Sequence, residues 1–220
     1  MRDDAWVTDE VLADQADYYR RRAGEYDVTA YGDVAAARAR IARLVSEMRP
    51  AGSVLEIAWG PACGRRRWRG LVDMVTAIDA APEMVEIARD RVQASNVSFE
   101  VADMFSWDPG DRFDVIFFSA WLSHVPMDRF ERFWQSLRGL LTEEGRVLFV
   151  DEHVDERGKE AYVEGQEEIV ERRLRDGITF RVIKNFVDPD RLELRLSAGL
   201  GLHDPPGRQR LVCGEAHLAR

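Results

Sequence analysis

The sequence predicts an α/β fold built around a mostly parallel sheet, and three observations carry that prediction. From Ser53 onward, short apolar runs alternate with stretches of helical periodicity. The most apolar run, Phe113–Phe118, has the character of a central strand covered on both faces. Acids stand at or beside the ends of the first three strand-like runs: Glu56, Asp79 and Asp103, spaced 23 and 24 residues apart. Ligands of such sheets sit beyond the carboxyl ends of the strands, so these acids mark an edge where chemistry is expected.

The elements follow in order. Residues 9–24 carry Val11, Leu12, Gln15, Tyr18, Tyr19 and Arg22 at helical spacing, and residues 33–48 form a second helical stretch ended by Pro50-Ala-Gly52. Strands are expected at Ser53–Ile57, Met74–Ile78, Val97–Val101, Phe113–Phe118 and Val147–Val150. Pro82–Val92 reads as a helix with proline in its first turn, where the missing N–H costs least. Met127–Leu141 is amphipathic, with Phe130, Phe133, Trp134, Leu137 and Leu141 inward. Residues 155–175 read as a highly charged helix, Pro189–Ser197 as a further helix, and Ile178–Ile183 and Leu211–Cys213 as strands.

A chain of 220 residues suits one α/β domain, 1–220, with residues 1–50 as a helical cap and 51–220 as the core. Net charge is −9, which disfavours a phosphate-reading nucleic-acid protein. No apolar run is long enough to span a membrane, and the acidic start does not resemble a signal peptide. Two cysteines, Cys63 and Cys213, form no metal-ligand cluster, so no metal and a reducing cytoplasm are expected. A small-molecule substrate follows, with no nucleic acid or membrane as partner, and either a monomer or a homodimer.

The chemistry at the strand ends favours a nucleoside. A carboxylate after the second strand can accept two hydrogen bonds from a ribose diol, and one after the third can accept from an adenine amino group. The small-residue loop Ala58-Trp-Gly60-Pro-Ala62 lets backbone approach a ligand. An acid such as Glu56 would repel a pyrophosphate, and no GxGxxG turn follows the first strand. Both points argue against a nicotinamide-dependent oxidoreductase. Any one of the acids could instead be a helix cap or turn former, as Asp79 could for the helix starting near Pro82.

VLEIAWGP (54–61), TAIDAAPEMVEIAR (76–89), VADMFSW (101–107), FDVIFFSAWLSHVP (113–126) and GRVLFVDE (145–152) together resemble class I S-adenosylmethionine (SAM) dependent methyltransferases, particularly the bacterial small-molecule group. ADYYRRRAGEYD (16–27) looks like that group's lid helix. The resemblance implies a Rossmann-like three-layer sandwich, with a seven-stranded sheet whose last strand is antiparallel, plus N-terminal lid helices. It implies SAM as cofactor and S-adenosylhomocysteine (SAH) as product. It places Glu56 in the glycine-loop motif, and Ala58, Gly60 and Ala62 beside the methionine part of SAM. Asp79 would hold the ribose, and Ala80 and Met84 would line the adenine pocket. Asp103 would meet the adenine amino group with Met104 on the ring, while Ser119, Ala120 and Trp121 border the sulfonium. Either Tyr18 or Tyr19 closes over the SAM carboxylate, and Ile178–Ile183 with Leu211–Cys213 would form the terminal hairpin.

The chain departs from that pattern at two places. The family loop has the form ExGxGxG, and here Gly60 alone remains of its three glycines. The following ACGRRRWRG (62–70) sets four arginines near an expected helix start, against the helix dipole and without an apolar stripe. In an adjacent frame of a DNA able to encode it, this stretch reads Gly-Leu-Trp-Thr-Pro-Ala-Leu-Ala-Gly, and residues 199–210 become family-like in the same way. Compensated frameshifts and a diverged loop with solvated arginines are the two readings, and resequencing the gene separates them.

His124, beyond the fourth strand, is the candidate catalytic base; its other reading is a residue that orders its loop. Asp151, Glu152 and His153 stand at the end of the fifth strand, where an acceptor amine or hydroxyl would lie, although Glu152 and Asp155 suit a helix start. Trp107, Trp121, Phe133 and Trp134 read as core. The function expected is methyl transfer from SAM to an O or N atom of a small molecule. The alternative is a non-catalytic SAM-fold binding protein with a degenerate glycine loop.

Overall fold

The computed structural model describes residues 7–26, 29, 33–60, 68, 70–196, 199–203 and 211–218. Seven strands form one sheet: β1 (Ser53–Ile57), β2 (Met74–Asp79), β3 (Val97–Val101), β4 (Phe113–Ser119), β5 (Leu141–Glu152), β8 (Gly199–His203) and β9 (Leu211–His217). Their order is β3-β2-β1-β4-β5-β9-β8. The first five pair in parallel, and β9 is antiparallel to both β5 and β8. The chain is therefore Rossmann-like, with the last strand reversed. β1 and β4 are central and nearly free of exposed side chains, as a sheet covered on both faces requires.

Two apolar layers sandwich the sheet. On one face α4 (Phe130–Leu140) buries Phe133, Trp134 and Leu137 against Phe118 and Phe149. On the other, α2 (Val34–Glu47) sets Ile41, Leu44 and Val45 beside Val54, Val115 and Phe117. α3 (Pro82–Arg91) follows β2, with Pro82 in its first turn, and α5 (Pro189–Leu196) precedes β8. The amphipathic periodicity of these helices is what fixes which face turns inward.

α1 (Asp9–Arg22) begins at Thr8, whose hydroxyl accepts from Val11 N, and ends in three arginines that complement its dipole. It lies on a separate two-stranded ribbon of β6 (Ile169–Arg173) and β7 (Thr179–Ile183). Tyr18 packs there with Val170, Phe180 and Val182, and Val11 packs with Ile169 and Ile183.

The ribbon corrects two expectations. Residues 155–175 are not a helix: a 3₁₀ turn over Val154–Lys159 is followed by extended chain and β6. Ile169 and Val170 pair across the ribbon with Ile183 and Val182, and Gly165 takes φ +76° in a turn that a helix cannot contain. Nor does Ile178–Ile183 join the terminal hairpin. That hairpin is β8 with β9, and β7 pairs with β6 instead. The fifth strand is also longer than its apolar heart, because Leu141 already pairs with Phe113 ahead of a register shift.

Candidate active site

At the carboxyl ends of β1, β2 and β4, and under α1, lies a cavity of about 280 Å³. Ala58, Gly60, Asp79, Ala80, Met84, Asp103, Met104, Ser119 and Ala120 line it with Tyr19, Trp121 and His124. The sheet brings them together because parallel register aligns Ile57 with Ile78 and Phe118 and aligns Asp79 with Val101, so the loops that follow open on one edge.

The loop after β1 bends sharply. Ala58 has φ +54° and Gly60 has φ +59°, so a non-glycine residue sits in the left-handed region at the cavity wall. Ala120, after β4, does the same at φ +51°. These conformations turn backbone toward the cavity. Ala62 and the arginines at 65, 66, 67 and 69 lie outside the described residues, as do residues 204–210.

Asp79 accepts from Gly60 N at 3.3 Å through one carboxylate oxygen and from Ala81 N at 2.9 Å through the other. Burial pushes its carboxyl up to about 6, against those two amides. Both bonds tie the β1 and β2 loops to one side chain, while its remaining lone pairs face the cavity. Asp103 is exposed; its Oδ1 accepts from Phe105 N at 3.0 Å, and buried Met104 supplies apolar floor beside it.

Glu56 does not reach this cavity. Its side chain is buried on the opposite side of β1 and accepts from Trp68 Nε1 at 2.5 Å. Strand alternation dictates this: Leu55 and Ile57 face the α4 layer, so Glu56 must face the other layer, with Trp68 and Phe117. Tyr18 is likewise core, packed against Phe180, so of the two tyrosines at 18 and 19 it is Tyr19 that lines the cavity.

Tyr19 and His124 meet edge to face, with the Tyr19 hydroxyl 2.9 Å from His124 Nε2. His124 Nδ1 is 2.6 Å from the Ile183 carbonyl oxygen. A carbonyl only accepts, so Nδ1 carries the proton and Nε2 accepts from the tyrosine hydroxyl. Burial, with Lys184, Arg172 and Arg22 nearby, holds the imidazole well below its usual range, so it is neutral. Gln15 completes the clasp: it donates to the His124 carbonyl and accepts from Ile183 N. Trp121 and Phe133, 4.8 Å apart, join the same cavity wall to the α4 core, whereas Trp107 stacks on Phe113 and donates to Glu100.

A second cavity of about 280 Å³ shares Tyr19, Tyr26, Ser119, Ala120 and His124 with the first. Its own lining includes Arg22, Arg40, Arg172 and Lys184, with Asp151, Glu152 and Glu160. His153 instead caps the 3₁₀ turn. These cations escaped sequence reasoning because they come from α1, α2, β6 and the end of β7. Lys184, one of only two lysines in the chain, was the one available signal.

A donor set of this kind fits SAM. Carboxylates suit its sulfonium and ammonium charges and its ribose hydroxyls, and Met84, Met104 and Ile78 offer an apolar bed for adenine. Comparison with known proteins agrees. A family model described as a methyltransferase domain matches residues 54–145. A structure of DhpI with SAH is 33% identical, with a TM-score of 0.79, over 96% of this chain and 98% of that one. A DhpI–SAM–HEP complex matches at the same identity and TM-score, over 96% and 99%. A SAM-dependent methyltransferase from Clostridium acetobutylicum ATCC 824 shares the fold at 14% identity and a TM-score of 0.67, over 92% of this chain and 100% of that one. With strand-end carboxylates, a left-handed β1 loop and a near full-length relative at this identity, the chain belongs to the class I SAM-dependent methyltransferases.

Proposed function

We propose that this methyltransferase acts on an O or N atom of a small molecule, that SAM occupies the first cavity and that the acceptor enters through the second. The adjoining of the two cavities at Ser119, Ala120, Tyr19 and His124 carries this reading, because donor and acceptor must meet in line. When bound, SAM supplies a methyl carbon already activated by the sulfonium, so positioning matters more than acid–base chemistry. In this reading Asp79 binds the ribose diol and keeps the β1 loop bent. Asp103 receives the adenine amino group, Met84 and Met104 flank the ring, and Ala58, Gly60, Ser119 and Ala120 present backbone to the methionine portion.

Tyr19 and His124 form the wall between the cavities. With both ring nitrogens engaged, His124 acts as a positioning residue that orients the Tyr19 hydroxyl, closer to the ordering role than to the base among the two the sequence offers. The described residues contain no helix long and apolar enough to cross a membrane.

Calorimetric titration of the purified chain with SAM and SAH, beside Asp79→Ala, tests the assignment. Binding in the micromolar range that weakens at least tenfold in the variant is the expected result. Equal affinity in both proteins would remove Asp79 from the site.

A further inference from the structure

We infer that the methyl acceptor is a small-molecule oxyanion, seated in the second cavity against the Arg22 guanidinium, with Arg172 and Lys184 behind it. This rests on the methyltransferase reading of the first cavity, and it adds the chemical class of the second substrate.

The first ground is the charge lining the second cavity. Four cationic side chains face it, against the carboxyl groups of Asp151, Glu152 and Glu160. Two of those acids are already matched: Glu152 pairs with Lys184, which also donates to Ser123 Oγ at 3.1 Å, and Glu160 pairs with Arg172. Asp151 accepts from the Ser123 and Glu152 amides, and burial pushes its carboxyl up, toward the uncharged form.

Arg22 differs from Lys184 and Arg172. Among the described residues it meets only neutral groups: Thr29 Oγ1 at 3.0 Å and the ring faces of Tyr26 and Tyr18, 4.7 and 5.4 Å from its guanidinium carbon. The two rings and Thr29 fix the guanidinium without neutralising it. A planar fork held at a cavity wall is suited to bidentate contact with a carboxylate or a phosphoryl group. A cationic amine would meet repulsion there.

The second ground is that, among the described residues, His124 where the cavities join and Glu152 and Glu160 beside it are all engaged. His124 donates through Nδ1 to Ile183 and accepts from Tyr19 at Nε2. Glu152 and Glu160 are occupied by ion pairs with Lys184 and Arg172. An acceptor that must lose a proton is poorly served. An oxyanion needs no base: its oxygen lone pair bonds the methyl carbon, the carbon–sulfur bond breaks with its electron pair staying on sulfur, and no proton moves.

Calorimetry on the SAH-loaded chain tests this, using methylphosphonate, inorganic phosphate and acetate as anionic probes and ethanolamine and ethanol as cationic and neutral ones. The expected result is binding of at least one anion, no binding of ethanolamine, and an anion affinity at least tenfold weaker in Arg22→Gln. Arg22→Lys should recover part of that loss. SAH affinity should stay within about twofold in both variants, which also shows that they fold. The phosphonate and acetate arms separate a phosphoryl from a carboxyl acceptor. SAH binding with no anion bound, with ethanolamine preferred, or with anions indifferent to Arg22 overturns the oxyanion assignment alone. Failure of the unaltered chain to bind SAH overturns the underlying reading instead.

Discussion

At the scale of single residues, Asp79 and Ala58 are where structure and chemistry constrain each other most. Asp79 has its carboxyl pushed up to about 6 by burial. Its folded-state value is raised, so the free protein carries the proton below that pH, and a ribose diol must then compete with it. SAM affinity is therefore expected to be constant above pH 7 and to fall by up to tenfold per unit as pH drops below about 6, while Asp79→Asn binds weakly without that inflection. Titrations between pH 5 and 8 check this; a flat profile for the unaltered chain would mean the carboxylate does not face the ligand. Ala58, at φ +54°, stores strain of about 1 kcal/mol. Ala58→Gly relieves it but frees the unfolded chain by a similar amount, so its stability should stay within about 0.5 kcal/mol. A β-branched side chain cannot adopt this conformation easily, and Ala58→Val should cost about 2 kcal/mol in urea denaturation.

At the scale of elements, the lid helix depends on the β6–β7 ribbon. Phe180 packs on Tyr18 at 5.9 Å, and the Arg21 guanidinium lies over its ring at 5.7 Å. Phe180→Ala is expected to remove about 3 kcal/mol of packing. Amide hydrogen exchange in Asp9–Arg22 should accelerate more than in β1 or β4, because ribbon and helix form a cluster apart from the two sheet layers. Uniform acceleration would show that lid and sheet open together. The ribbon is also where sequence reading failed. Segments such as Val97–Val101 and Pro82–Arg91 carry their period within themselves, so their ends were legible. Residues 155–175 carry mostly charge, which a helix and a solvated strand tolerate equally; pairing of Ile169 with Ile183 decides between them, and that contact is not local. The site divides the same way. Asp79, Asp103 and Ser119 were legible because sheet topology alone puts strand ends on one edge. Glu56 was misplaced because its motif resemblance outweighed strand alternation, which turns it toward Trp68. Arg22, Arg40, Arg172 and Lys184 converge only after the chain has folded.

At the scale of the whole molecule, the first cavity is walled by the sheet edge on one side and by α1 on the other, through Leu12, Gln15, Ala16 and Tyr19. A ligand there touches both bodies at once. Its binding energy must therefore appear as global stability and as local protection of the lid. With SAH at one hundred times its dissociation constant, linkage gives a stabilisation of about 2.7 kcal/mol. For a chain of this size that corresponds to a rise in Tm of about 5 to 10 °C. Exchange should slow in Asp9–Arg22 and in the loops after β1, β2 and β4 together. The Gln15–His124–Tyr19 clasp already links the lid to the β4 loop without ligand, so Tyr19→Phe, which removes only the hydroxyl bonded to His124, should leave the thermal shift but reduce the slowing in the lid. A Tm rise with protection confined to the strand-end loops would place the cofactor on the sheet alone and leave α1 without a closing role. Protection confined to α1 would be incompatible with Asp79 as the ribose-binding group.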